Sequence, residues 1–200
     1  MTDPAPSGVL LPPPADPLCL DFANTRYWRG SAEPIETLRE PGDLLTWIGG
    51  AGLPGGEALR ARWEADPAAG AAEWRAALDV RETIYRVLAE GVATADLAAL
   101  NAALAEAPER RRLEATAQGF GWRAEPWRPT LPYLLAPVLW SAADLLAGPR
   151  RGRVRICANP KCRWLFLDDS KAGNRRWCSM ASCGNRAKAH RHYAKRKAQG

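Results

Sequence analysis

The sequence predicts a mainly α protein: a helical N-terminal domain with a β-hairpin insertion, plus a small C-terminal module organised by cysteines. Three observations carry that reading. Apolar residues recur at spacings of three and four through Ala71 to Glu90 and again through Pro129 to Leu146, the period of a helix with one buried face. Alternation replaces that period around Leu113 to Trp127 and again after Arg153, where strands fit better. Charge also divides the chain. From Arg150 to Gly200 there are 15 Lys/Arg against two acids, a net of +13, while the remainder is net −7. An acidic body followed by a strongly basic module points to a polyanion partner for the latter.

Met1 to Pro17 is rich in proline and lacks both a basic start and a continuous apolar run. Residues 1–15 are therefore expected to be a disordered leader, neither a signal peptide nor a membrane span. No other segment reaches about eighteen uninterrupted apolar residues, so no membrane partner is expected. With five cysteines and no export signal, the chain reads as soluble and cytoplasmic.

Residues 16–147 make up the expected helical domain. In Asp16 to Tyr27, Leu18 and Phe22 share a helical face, with Asp21 and Asn24 as polar residues among apolar ones. Cys19, the odd cysteine, reads as a small buried apolar residue. Gly42 to Ile48 is a short helix capped by Asp43 and ended by Gly49-Gly50-Ala51-Gly52. Gly56 to Ala65 is another helical segment. Trp74, Ala77, Val80, Ile84, Val87 and Leu88 define the clearest helix, which Gly91 ends. Thr94 offers an N-cap for a helix through Ala105. Leu113 to Ala117 and Gly121 to Trp127 flank Gln118-Gly119-Phe120-Gly121 as a hairpin. Helix returns over Pro129 to Leu146, with Pro137 marking a kink or the start of its regular part. Residues 148–152 form a linker, where the charge changes sign.

The final module, residues 153–200, holds two cysteine pairs. Cys157 and Cys162 are followed, after fifteen residues, by Cys178 and Cys183. Short pairs at this separation match a tetrahedral zinc site, since each pair can span one edge and thiolates suit Zn²⁺. Two disulfides or four buried thiols are the alternatives; the first needs an exporting compartment, the second does not explain the pairing. Apolar residues are scarce here, so one structural zinc is expected to hold the module together, contributing about 10–16 kcal/mol of apparent binding energy. Strands are expected at Arg153 to Ile156 and Arg163 to Leu167, with Arg175 to Trp177 returning antiparallel. A last helix, capped by Ser182, runs from Gly184 to about Lys197. This order is that of a treble-clef-like zinc finger.

That helix is cationic and has almost no apolar stripe, so it is aimed outward, and duplex DNA is the expected partner. Asn185 and Arg186 stand at its start, where base edges are read. Arg175, Arg176, Lys188, Arg191, Lys195 and Arg196 are the phosphate-holding candidates. His190 and His192 are not needed as ligands, because four cysteines complete the tetrahedron. RNA is the alternative partner, through stacking on Trp164, Trp177 or Tyr193, although the two tryptophans also suit a small finger core. A zinc-dependent protein-interaction module is a further alternative. There is no glycine-rich phosphate loop, no HExxH motif and no histidine before His190, so no enzyme is expected. In the body, Asp21, Asn24 and Arg81 are candidates for a pocket accepting a small-molecule effector. The same three residues would also suit a buried hydrogen-bonded network tying the first helix to the long one. Homodimerisation through the body is a further expectation.

Cys183-Gly184-Asn185-Arg186 is the naming motif of the CGNR zinc-finger family, which this region resembles. Trp164-Leu165-Phe166-Leu167-Asp168, Asn174 to Met180 and Arg186-Ala187-Lys188 are similar to it as well. Leu20-Asp21-Phe22-Ala23-Asn24-Thr25 resembles the start of the ABATE domain that precedes this finger, and Ala77 to Tyr85 fits that domain too. The resemblance spans nearly the whole chain after the leader. It implies a bacterial, stress-induced transcriptional regulator that binds DNA, with the four cysteines as zinc ligands.

Overall fold

The computed structural model describes residues 8–12, 17–91, 93–117, 119–189 and Arg196. Strand β1 (Val9–Leu11) lies inside the segment expected to be a disordered leader. It pairs antiparallel with Trp122–Ala124, and Leu11 is fully buried. Three apolar residues among prolines carry too little pattern to announce a strand, yet the free edge of a hairpin supplies the missing backbone partners. The rest of the leader lies outside the described residues.

Helix α1 (Leu18–Ala23) buries Leu18, Cys19, Leu20 and Phe22 and passes directly into strand β2 (Arg26–Tyr27). β2 pairs with β3 (Ile35–Glu36), and the connection between them reaches out of the body. α2 (Pro41–Gly50) starts earlier than expected. Pro41 sits in its first turn, where a missing N–H costs nothing, and Asp43 accepts from the Arg39 amide at 2.9 Å instead of serving as the N-cap. α3 (Gly56–Ala65) agrees with its expected bounds.

The scaffold is α4 (Pro67–Ala89), opened by Asp66, whose carboxylate accepts from the Ala69 amide. It packs on α1, α3 and α5 (Thr94–Glu106). Its buried face carries Ala77, Ile84, Val87 and Leu88, as the spacing predicts, and also Arg81. Strands β4 (Leu113–Thr116) and β5 (Gly119–Ala124) form the expected hairpin, with β1 as its third strand. The last helical stretch breaks at Leu135 into α6 (Leu131–Leu134) and α7 (Ala136–Ala147). Pro137 thus lies in the first turn of α7, as the true start of its regular part.

The expected linker is a 3₁₀ turn, Pro149–Arg153, packed on α7. The Arg151 guanidinium donates to the Val87 carbonyl, and Arg150 pairs with Asp169. β6 (Val154–Ile156) and β7 (Leu165–Leu167) form an antiparallel pair. Residues 174–177 form no third strand; the segment is held instead by the Ala158 amide donating to the Arg176 carbonyl and by the Arg175 amide donating to the Asp168 carboxylate.

One correction concerns the whole architecture. Val154, Leu165 and Leu167 are buried in the same cluster as the body's leucines. The C-terminal module is not a separately folded bead on a tether. Its β-pair is a wall of the main core, packed on α1 and α4. Among the described residues, no helix is long and apolar enough to cross a membrane.

Candidate metal centre

The hairpin connection between β6 and β7 is a tight knuckle. The Asn159 carbonyl accepts from the amides of Cys162 and Arg163, and its side-chain oxygen accepts from the Lys161 amide. Arg163 takes a positive φ of 55° to complete the turn. This geometry carries Cys157 and Cys162 to one side of the β-pair. Cys178 follows an extended segment, and Cys183 lies on a π-helical turn, Met180–Gly184. Residues 185–189 continue as helix. Ser179 rather than Ser182 is the cap, its hydroxyl accepting from the Ser182 amide.

The four sulfurs all lie within 4.8 Å of one another. Cys162 and Cys178 are 3.8 Å apart, and Cys178 and Cys183 are 3.9 Å apart. A tetrahedron with Zn–S bonds of about 2.3 Å has sulfur–sulfur edges of about 3.8 Å. The cluster therefore has the size of a Zn(Cys)₄ site, and it is positioned to bind one zinc ion.

The electrostatics agree with the geometry. Burial, then the charge of neighbouring thiolates, pushes Cys162 up to about 12 and raises Cys178 as well. Cys183 moves the other way: burial opposes its ionisation, but hydrogen bonds from Asn159 and the adjacent thiols outweigh that. Four thiolates cannot share this space unless a cation offsets them, which is what a bound divalent metal does. Asn159 Nδ2 donates to Cys183 Sγ at 3.5 Å, a support of the kind that orients a ligand. Phe166 is buried against the cysteines, with Trp28, Trp164 and Trp177 packed around them.

Sequence reasoning missed Trp28 and Gly30. The β2–β3 connection brings them onto the knuckle, where the Gly30 amide donates to the Lys161 carbonyl. Trp28 adopts a positive φ of 52° and lies against the cysteine cluster. Tyr27 meets Trp164 edge-on at 4.9 Å. Nothing in the local sequence marks these residues, because their role depends on a partner more than 130 positions away.

Of the nucleic-acid candidates, Asn185, Arg186 and Lys188 are exposed on the first turns after Cys183. Arg186 stands over the Trp28 ring at 4.6 Å, and Arg176 over Trp177 at 5.4 Å. Arg175 is engaged internally. Its guanidinium donates to the carbonyls of Trp177 and Cys178 and covers Phe166, so it braces the loop that presents Cys178. Arg191 and Lys195 lie outside the described residues, as do His190, His192 and Tyr193; Arg196 is exposed.

The effector-pocket candidates are placed in three different settings. Arg81 is 2 % exposed and forms a fork onto Glu36, with further bonds to Glu82 and Thr25. Glu82 also receives Arg29. Burial raises the carboxyls of Glu36 and Glu82, but these guanidinium bonds outweigh it and hold both below the ordinary range. Asn24 spends its side-chain amide on β7, donating to the Leu165 carbonyl and accepting from its amide. Asp21 is exposed. Cys19 is buried, and burial pushes its thiol up to about 11.

Residues 153–196 match the family model of the CGNR zinc finger. Residues 16–149 match the model of the ABATE family, described as "Putative stress-induced transcription regulator". No curated protein matches the chain. The second match covers well over half of the sequence, and it ends at Pro149, where the 3₁₀ turn begins. The chain belongs to the ABATE family and carries a CGNR zinc finger at its C-terminal end.

Proposed function

We propose that the protein is a DNA-binding transcriptional regulator rather than an enzyme, with the zinc finger as its nucleic-acid module. The observation that carries this is the fate of the finger's acids. It has only Asp168 and Asp169. Asp168 is fully buried and accepts from the Ser170 hydroxyl and amide and from the Arg175 amide. Asp169 pairs with Arg150. Neither remains to balance the cations displayed beside the metal cluster, so the outer face is strongly positive. A polyanion gains counterion release on docking there.

In this reading Asn185 and Arg186 read base edges, while Arg176, Lys188, Arg191, Lys195 and Arg196 hold phosphates. Arg175 contributes through the zinc loop it braces. The acidic body senses an effector or mediates dimerisation, and the cytoplasm is where such a regulator works. The test is selection of randomised duplex DNA by the zinc-loaded protein. An enriched motif that is lost on chelation is expected, and Arg186→Ala should blunt that enrichment more than it lowers total binding. Salt-sensitive retention with no enrichment would reject sequence-specific regulation and bring RNA forward. No retention would leave a protein-interaction role.

A further inference from the structure

Beside the metal centre lies a cleft of about 450 Å³, within the size range of small-ligand sites. It is bounded by the body's Trp28 and by Asn159, Lys161, Trp177 and Arg186 of the finger. Two features set it apart from an ordinary surface groove. Its two basic lining residues, Lys161 and Arg186, are exposed with no carboxylate partner among the described residues, and the buried Cys183 of the metal cluster also lines it. It also holds two indoles, each with a guanidinium over its ring. The cleft is thus aromatic and cationic together, with no carboxylate in its lining. A planar aromatic group carrying negative charge satisfies both features, and neither an apolar ligand nor a plain inorganic anion does.

We propose that this cleft binds a nucleotide, with the base against the Trp28 and Trp177 indoles, Arg186 at the base edge and the phosphate on Lys161. The nucleotide is either free or an unpaired unit of a DNA strand. In the second case the inference rests on the nucleic-acid reading of the finger and refines it, giving the protein a preference for locally opened DNA. Base-on-indole stacking tolerates any base, since each presents a π-face. Trp28 belongs to the body and Trp177 to the finger, so an occupied cleft touches both parts of the chain.

The test titrates the full-length, zinc-loaded protein with adenosine monophosphate, with an unpaired oligodeoxyadenylate and with inorganic phosphate, following tryptophan fluorescence. Quenching by the nucleotide or the oligonucleotide, and none by phosphate, is expected. Lys161→Glu is at an exposed position, so it should keep the zinc content and far-UV spectrum while weakening the quenching ligand at least about tenfold. Trp177→Leu should weaken it by about five- to a hundredfold, the range of lost base stacking. Saturation by the mononucleotide alone identifies a free-nucleotide site; tighter binding of the oligonucleotide identifies a strand site. Equal quenching by phosphate, no quenching by either nucleotide probe, or unchanged binding to folded Lys161→Glu overturns the proposal. Retained capture of duplex DNA alongside such a failure would leave the regulator reading intact.

Discussion

At the scale of single residues, Gly30 shows how little chemistry is needed to fix one part of the chain to another. Its amide donates to the Lys161 carbonyl, and a Cβ built on it would lie 1.8 Å from the Pro160 carbonyl oxygen. That neighbour is backbone of the metal knuckle and cannot swing aside as a side-chain tip could. Gly30→Ala should therefore push the β2–β3 connection off the knuckle and lower stability by about 1–3 kcal/mol, the usual range for overpacking. Gly49→Ala is the control. It lies in the last turn of α2 with nothing within 4 Å of its new Cβ, so it should stabilise by about 0.5–1 kcal/mol. Thermal melts of both variants check this, and a Gly30→Ala melt equal to the parent's would contradict the described latch. Gly30 sits in the sequence Trp28-Arg29-Gly30-Ser31, which reads as any loop. The need for glycine appears only when the knuckle is placed against it.

At the scale of elements, what the sequence disclosed follows from where each element finds its partners. α4 and the β4–β5 hairpin are specified by residues close in sequence, so periodicity and turn chemistry made them legible. β1 was not legible, because its pairing energy resides in β5 and three residues hold no period. Arg175 to Trp177 differs for the opposite reason: it is expected to return antiparallel to β7, but the edge of β7 that it would need is already occupied. The occupant is Asn24. Its side-chain amide makes both bonds to Leu165, standing in for a strand at 2.8 and 2.9 Å. Asn24→Asp keeps the acceptor for the Leu165 amide but sets a carboxylate against its carbonyl. Asn24→Leu leaves both groups unpaired. Each loss should cost about 1–3 kcal/mol, the penalty for an unsatisfied buried group. Hydrogen exchange separates the two: the Leu165 amide should stay protected in Asn24→Asp and exchange faster in Asn24→Leu. Equal protection in both would mean that Asn24 does not serve β7.

At the scale of the whole molecule, the metal centre and the helical body share one core. The four-cysteine pattern was readable because its ligands are near in sequence and of a distinctive type. The attachment of the finger was not, because Val154, Leu165 and Leu167 look like ordinary strand residues until α1 and α4 are seen to cover them. A detached finger would lose its fold on metal removal and leave the body's melt unchanged. Here the β-pair that supports the knuckle is also a wall of the body, tied further by the Tyr85 hydroxyl donating to the Arg163 carbonyl at 2.8 Å. A metal that binds only the folded chain stabilises everything that unfolds with its site. Chelation, or Cys178→Ser at the half-buried ligand, should therefore lower the melting temperature of the helical signal itself. For a chain of this size about 1 kcal/mol corresponds to roughly 2–4 °C, so a loss of several kcal/mol should shift the transition by about 5–15 °C while keeping it single. Far-UV dichroism of the helices and fluorescence of the tryptophans around the cysteines should move together. Two separated transitions, with the helical one unmoved, would restore the picture of an independent finger and remove the route by which the body could sense the state of its metal site.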